Sequence, residues 1–258
     1  MFPLRDENPT ELTPYFTVAI IAANVLVWVY VQGAGLSEAV LYDSICRYGV
    51  IPAELTGRTQ GYLGVQIAPG VHCRFGGLSW STVLTSMFLH GGWVHLIGNM
   101  WFLWVFGNNI EDSTGHLRFL VFYLLAGVVA SLAHVWVAPG SPVPTIGASG
   151  AVSGVMGAYL ILYPRVRVQT LFIVLIFIRI LPVPAWVVLG QWFVLQFLYG
   201  MAEPAAAGGV AFWAHIGGFV TRAALTNHRG ARRLVVASGW FATSRPRSRS
   251  GADHNTVR

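Results

Sequence analysis

The chain has 258 residues, 55% of them hydrophobic and only 10% charged, with ten tryptophans. That balance lies far from an average soluble domain. The net charge of +6 rests on sixteen arginines and no lysine, eight of them from Arg222 onward, so it marks topology and a basic tail and not a nucleic-acid surface.

In chain order, Met1–Thr13 is a short polar tail, and Pro14 suits the first turn of a helix. Tyr15–Val31 is the first apolar run long enough to cross a bilayer, and it is expected to direct insertion without a cleaved leader. Gly33 to about Ser79 is a long mixed segment with Cys46 and Cys73; its apolar residues predict that it folds onto the membrane surface. Trp80–Leu89 is amphipathic. Gly91–Phe106 is the second expected span, and Gly107–Gly115 a polar turn. Leu117–Ala138 and Ile146–Tyr163 are the third and fourth spans. Thr170–Leu181 is apolar but too short to cross, and Arg179 interrupts it, so it reads as interfacial or re-entrant. Pro184–Met201 and Gly209–Leu225 are the fifth and sixth spans, joined by the polar link Glu203–Gly208.

These runs predict an all-α polytopic membrane protein: a cytoplasmic tail over 1–14, a six-helix membrane domain over 15–226, and a basic, disordered cytoplasmic tail over 227–258. Arginines near the span ends place both termini on the cytoplasmic side of the cell's inner (plasma) membrane, with the long segment and the starts of spans two, four and six outside.

Polar side chains inside spans are costly and mark function by default. The set is His95 and Asn99 in span two, His134 in span three, Ser149 and Ser153 in span four, Gln191 and Gln196 in span five, and His215 in span six; the span interiors contain no Asp or Glu. His95 and Asn99 are four apart and share a helix face. Ser149 and His215 both fall within roughly 10 Å of the outer surface at about 1.5 Å per residue, provided that Thr170–Leu181 does not cross. Gly150, Gly154 and Gly157 beside Ser149, and Ala214, Gly217 and Gly218 beside His215, let two helices approach closely. Each polar residue alone reads as glue between helices. Four of them at one depth predict a site in which Ser149 is the nucleophile, His215 the general base, and His95, Asn99 and the Ser149 N–H the oxyanion donors.

These residues resemble the rhomboid family. Gly147-Ala-Ser149-Gly150 matches its G-x-S-G motif, Ala214-His215-Ile216-Gly217-Gly218 its A-H-x-G-G motif, and His90-Gly-Gly-Trp-Val-His95-Leu-Ile-Gly-Asn99 the paired histidines and asparagine of its second helix. Gly107-Asn-Asn-Ile-Glu111 fits the turn that follows. The resemblance covers about residues 5–227 and implies an intramembrane serine protease, cutting transmembrane protein substrates in the lipid bilayer with a Ser–His dyad and no cofactor or metal. It assigns the dyad to Ser149 and His215, the oxyanion donors to His95 and Asn99, and a role ordering the long segment to His90. Two positions depart from the pattern. Trp80 is followed by Ser81 and Thr82 where some relatives have a Trp-Arg pair. Ser153 stands four residues after the nucleophile, where some relatives carry an aromatic that stacks on the catalytic imidazole.

Cys46 and Cys73 are candidates for a disulfide across the long segment, with two free thiols as the alternative. His134 reads as an interhelical histidine and Gln191 and Gln196 as packing or lid residues; Trp186, Trp192 and Phe193 are candidates for a substrate gate. The competing functions are a non-catalytic relative that binds membrane helices, and a transporter or proton relay. The missing intramembrane carboxylates and inverted repeats argue against the relay.

Overall fold

The computed structural model describes residues 1–59, 63–76, 79–174, 177–202 and 211–225. The polar link at 203–208 and the tail from 227 lie outside them. Helix α1 (Tyr15–Leu26) widens into a π turn at Val27–Val31. After it come α2 (Glu38–Tyr48), α3 (Pro52–Leu55), and a hairpin of β2 (Gly64–Ala68) and β3 (Val71–Arg74). A short α4 (Thr82–Thr85) precedes the long helices α5 (Trp93–Thr114) and α6 (His116–Val137). Then follow α7 (Ser149–Leu162), a hairpin of β4 (Arg167–Val174) and β5 (Phe177–Pro184), α8 (Ala185–Ala202) and α9 (Phe212–Leu225). A helix thus lies in each stretch read as a span; α6 and α8 are long and apolar enough to cross a membrane by length and composition.

α7 is the central helix. Gly150 through Tyr159 are all buried, as expected of a helix apolar on every side. α6 and α9 meet it through residues without side-chain bulk. A methyl group on Gly154 would lie 2.6 Å from the Ala126 Cβ, and one on Gly157 2.2 Å from the Phe219 carbonyl oxygen. Packing of this kind holds helices together where apolar burial from water cannot. Below the glycines Phe106 and Tyr159 pack edge to face at 4.9 Å, both fully buried.

Three expectations are corrected. The N-terminal residues are not a free tail: β1 (Phe2–Asp6) pairs antiparallel with β4, so that the sheet order is β1-β4-β5. Trp101 Nε1 donates to the Pro3 carbonyl at 2.7 Å, pinning β1 to α5. The all-α class does not hold either: the apolar stretch after α7, read as interfacial or re-entrant because it is too short to cross, is a β-hairpin. Its β-branched residues Val168, Thr170, Ile173, Ile178, Ile180 and Val183 favour strands, and Pro182 and Pro184 fit its edge strand. Finally, the polar turn after the second span is helical. α5 runs on to Thr114 and stops at Gly115, whose φ of +82° a side chain would strain. Its polar residues are used by the N-terminal segment. Pro14 offers α1 no capping side chain, and the buried Glu111 carboxylate accepts from the N–H groups of Phe16 (2.9 Å) and Thr17 (2.7 Å) instead.

The long segment after α1 is ordered and tied to the approach to α7. Cys46 on α2 is disulfide-bonded to Cys73 on β3, with Cα atoms 5.1 Å apart. Val50 and Thr145 exchange backbone hydrogen bonds of 3.0 and 2.7 Å, and the Ala53 N–H donates to the Ser141 carbonyl. The chain just before Ser149 is therefore held by a cross-linked unit.

Candidate active site

Ser149 is the first residue of α7, nearer the helix end than three residues in. The N–H groups of a first helical turn have no partner inside the helix, so the Ser149 backbone offers a donor beside its own hydroxyl. Gly147, two residues earlier, has a φ of +126° and donates its N–H to the Ser86 carbonyl at 2.9 Å. That bend presents the Ser149 side chain to α9, where His215 stands one turn inside the helix and is buried.

The Ser149 Oγ and His215 Nε2 are 2.7 Å apart, within hydrogen-bond range. The close approach needs bare backbone: a methyl group on Gly218 would sit 2.0 Å from the Gly150 carbonyl oxygen. On its other side the His215 Nδ1 is 2.7 Å from Gln196 Oε1 of α8. The Trp192 ring, also on α8, lies 5.8 Å from the imidazole with 36° between the planes. The Ser153 hydroxyl donates to the Ser149 carbonyl one turn back, at 2.6 Å.

His95 on α5 accepts the Gly91 N–H at Nδ1 (3.3 Å), which puts its proton on Nε2. That Nε2 lies 2.9 Å from where a Gly147 Cβ would be, and the same point is 3.4 Å from Ser149 Oγ. A donor thus faces the space beside the serine. Asn99 is buried one turn further along α5, and its Nδ2 has no hydrogen-bond partner among the described residues. Both line a cavity of about 850 Å3 that also holds Ser149, His215, Val152 and Met156.

His90 is buried just before α5, its ring 5.1 Å from that of His95. Its backbone is clamped by Gln32 at the end of the first helix: the His90 N–H donates to Gln32 Oε1 (2.7 Å) and Gln32 Nε2 donates to the His90 carbonyl (2.8 Å). The structure therefore brings Ser149, His215, His95 and Asn99 to one cavity, with Gly147, Gly150 and Gly218 at the points of closest approach. Gln196 and Gln32 join the site only in the structure, since neither stands in a motif that marks it. An amide amid apolar helix residues was the available signal for Gln196, and it reads equally well as packing.

The chain spans about half the length, or less, of the curated relatives it matches. It is 29% identical over 178 residues to Rhomboid protein 1, mitochondrial, of Saccharomyces cerevisiae, covering 62% of this chain and 47% of that protein. It is 43% identical over 81 residues to Rhomboid protease GluP of Bacillus subtilis (31% of this chain, 15% of that protein). Presenilin-associated rhomboid-like protein, mitochondrial, of Homo sapiens is 36% identical over 95 residues (36% and 25%). Residues 77–228, more than half of the chain, match the Rhomboid domain and include His95, Asn99, Ser149 and His215, and on that match the chain belongs to the rhomboid family of membrane proteins.

Proposed function

We propose that this protein is an intramembrane serine endopeptidase that hydrolyses peptide bonds in or beside the transmembrane segments of other membrane proteins. The observation that carries the reading is the 2.7 Å contact between Ser149 Oγ and His215 Nε2 inside a cavity. His215 takes the hydroxyl proton as Oγ attacks the scissile carbonyl. The oxyanion is met by the Ser149 N–H, the Nε2–H of His95 and the Nδ2 of Asn99, which has no partner among the described residues. His215 then passes its proton to the leaving amine, and water hydrolyses the acyl-enzyme by the same steps. The substrate helix must unwind locally to offer its carbonyl, so small and helix-breaking residues near the cut are favoured.

The six apolar helices α1, α5, α6, α7, α8 and α9 are read as six spans in a membrane domain over 15–226, with the tail 227–258 and the N-terminus in the cytoplasm. The Cys46–Cys73 disulfide supports an oxidising, outer location for the segment after α1, on the far side of an inner (plasma) membrane. Substrates and bilayer are the partners. Purified Ser149→Ala and His215→Ala, reconstituted with a transmembrane substrate, should keep their fold and lose cleavage. Full cleavage by Ser149→Ala would end the assignment, and a relative that merely binds helices would leave Ser149 unlabelled by a fluorophosphonate.

A further inference from the structure

The catalytic-pair reading leaves open what holds the His215 ring, because Ser153 occupies the position four residues after the nucleophile and turns its hydroxyl to the Ser149 carbonyl. Two contacts from α8 hold the ring instead. Gln196 Oε1 lies 2.7 Å from His215 Nδ1, and the Trp192 ring packs beside the imidazole with centroids 5.8 Å apart and 36° between the planes. The two residues are four apart and share one face of α8. Their helix neighbours Val194, Leu195 and Phe197 are exposed on the outside of the bundle, while Gln196 and Trp192 are half-buried against α9.

We propose that Gln196 is the positioning residue of His215, setting its tautomer, with Trp192 setting the plane of the ring. The inference rests on reading Ser149 and His215 as a catalytic pair. An amide oxygen can only accept, so the proton of neutral His215 must sit on Nδ1 to make the contact. That leaves a lone pair on Nε2, 2.7 Å from the Ser149 hydroxyl that has to give up its proton. The other tautomer would place a proton on Nε2 and leave His215 unable to act as base. When His215 becomes imidazolium, the Nδ1–H already points at the negative end of the amide dipole. An amide performs this orienting task without placing a second charge next to the histidine in a low-dielectric bundle, where a buried charge is costly.

The test uses the full chain in detergent. In Gln196→Leu, fluorophosphonate labelling of Ser149 and kcat should fall roughly tenfold, the size set by one neutral hydrogen bond, with KM and thermal midpoint unchanged. The 15N resonances of His215, assigned by their loss in His215→Ala, should report the Nδ1–H tautomer in the native protein and a mixture in Gln196→Leu. Gln196→Glu keeps an acceptor oxygen in either protonation state and should restore labelling to near the native rate. Gln196→Met, equally long and without that oxygen, reads the same quantities should the leucine variant fail to fold. Native labelling with the native tautomer in Gln196→Leu, or an equal loss in the lipid-side control Val194→Ala, would overturn the proposal. The tautomer is measurable whether or not the protein cleaves anything. A native protein that never labels at Ser149 but loses its Nδ1–H signature in Gln196→Leu would therefore sink the protease reading alone.

Discussion

Gly218 on α9 faces the carbonyl of Gly150 on α7 so closely that a methyl group there would lie 2.0 Å from the oxygen. Backbone, not a flexible side chain, stands in the way, so the helices must part. Gly218→Ala should therefore lengthen the Ser149–His215 contact and lower cleavage at least a hundredfold, while costing about 1–3 kcal/mol of stability from overpacking. Gly190→Ala on α8, where a Cβ meets nothing within 4 Å, should leave both unchanged. Side-by-side thermal unfolding and substrate cleavage check this, and equal behaviour of the two variants would refute the close-packing account.

Gly147 carries two constraints at once, a φ of +126° and a His95 Nε2 only 2.9 Å from its would-be Cβ. Gly147→Ala should both strain the turn into α7 and push His95 from the place where the proposed mechanism needs an oxyanion donor. Asn99→Ala removes a donor without touching the turn. It should lower kcat by about 10²–10³, the usual cost of one oxyanion donor, and leave KM nearly unchanged. A raised KM at constant kcat would instead make Asn99 a substrate-binding residue.

The 2.7 Å approach of Ser149 to His215 is legible in the sequence because its determinants are local: a glycine-flanked serine at one helix start, a histidine among small residues in another, and helix lengths that bring the two together. The third contact, Gln196 on His215, is not, because a lone amide in an apolar helix does not say which neighbour it meets. The β1-β4-β5 sheet was missed for a similar reason. β1 is five residues of mixed polarity whose partner lies more than 160 residues away, and the hairpin beyond α7 was judged by its length against a bilayer and not by its β-branched residues. Glu111 looked like a turn residue because its carboxylate serves α1, nearly a hundred residues earlier in the chain.

The disulfide closes a loop of 27 residues between α2 and β3. Chain-entropy reasoning gives such a cross-link about 3.5 kcal/mol. The double variant Cys46→Ser/Cys73→Ser should lose a comparable amount in thermal or chaotrope unfolding. Labelling of Ser149 should persist well below the midpoint, because the Val50–Thr145 bridge and the Gly147–Ser86 bond still hold the approach to α7. Native migration unchanged by reductant would show that the cross-link does not form.

Asp6, at the end of β1, gives a pH signature to the N-terminal strand. Burial pushes its carboxyl from 3.8 up to about 6, against the hydrogen bonds donated by Tyr159 (2.5 Å) and Asn109 (2.7 Å), which favour the charged form. A raised folded value means the fold prefers the protonated acid. The associated stability is complete below pH 3.8 and is lost as the pH rises through about 6. Partial exposure of the side chain holds the effect to roughly 1–2 kcal/mol. Hydrogen exchange of the β1 amides should accordingly show a weaker opening free energy at pH 7 than at pH 4, once corrected for the intrinsic rate. Asp6→Asn keeps an oxygen to accept from Tyr159 and removes the titration, so its opening free energy should be flat across that window. A native strand that opens equally at both pH values, or an Asp6→Asn variant that retains the native slope, would place the titrating group elsewhere.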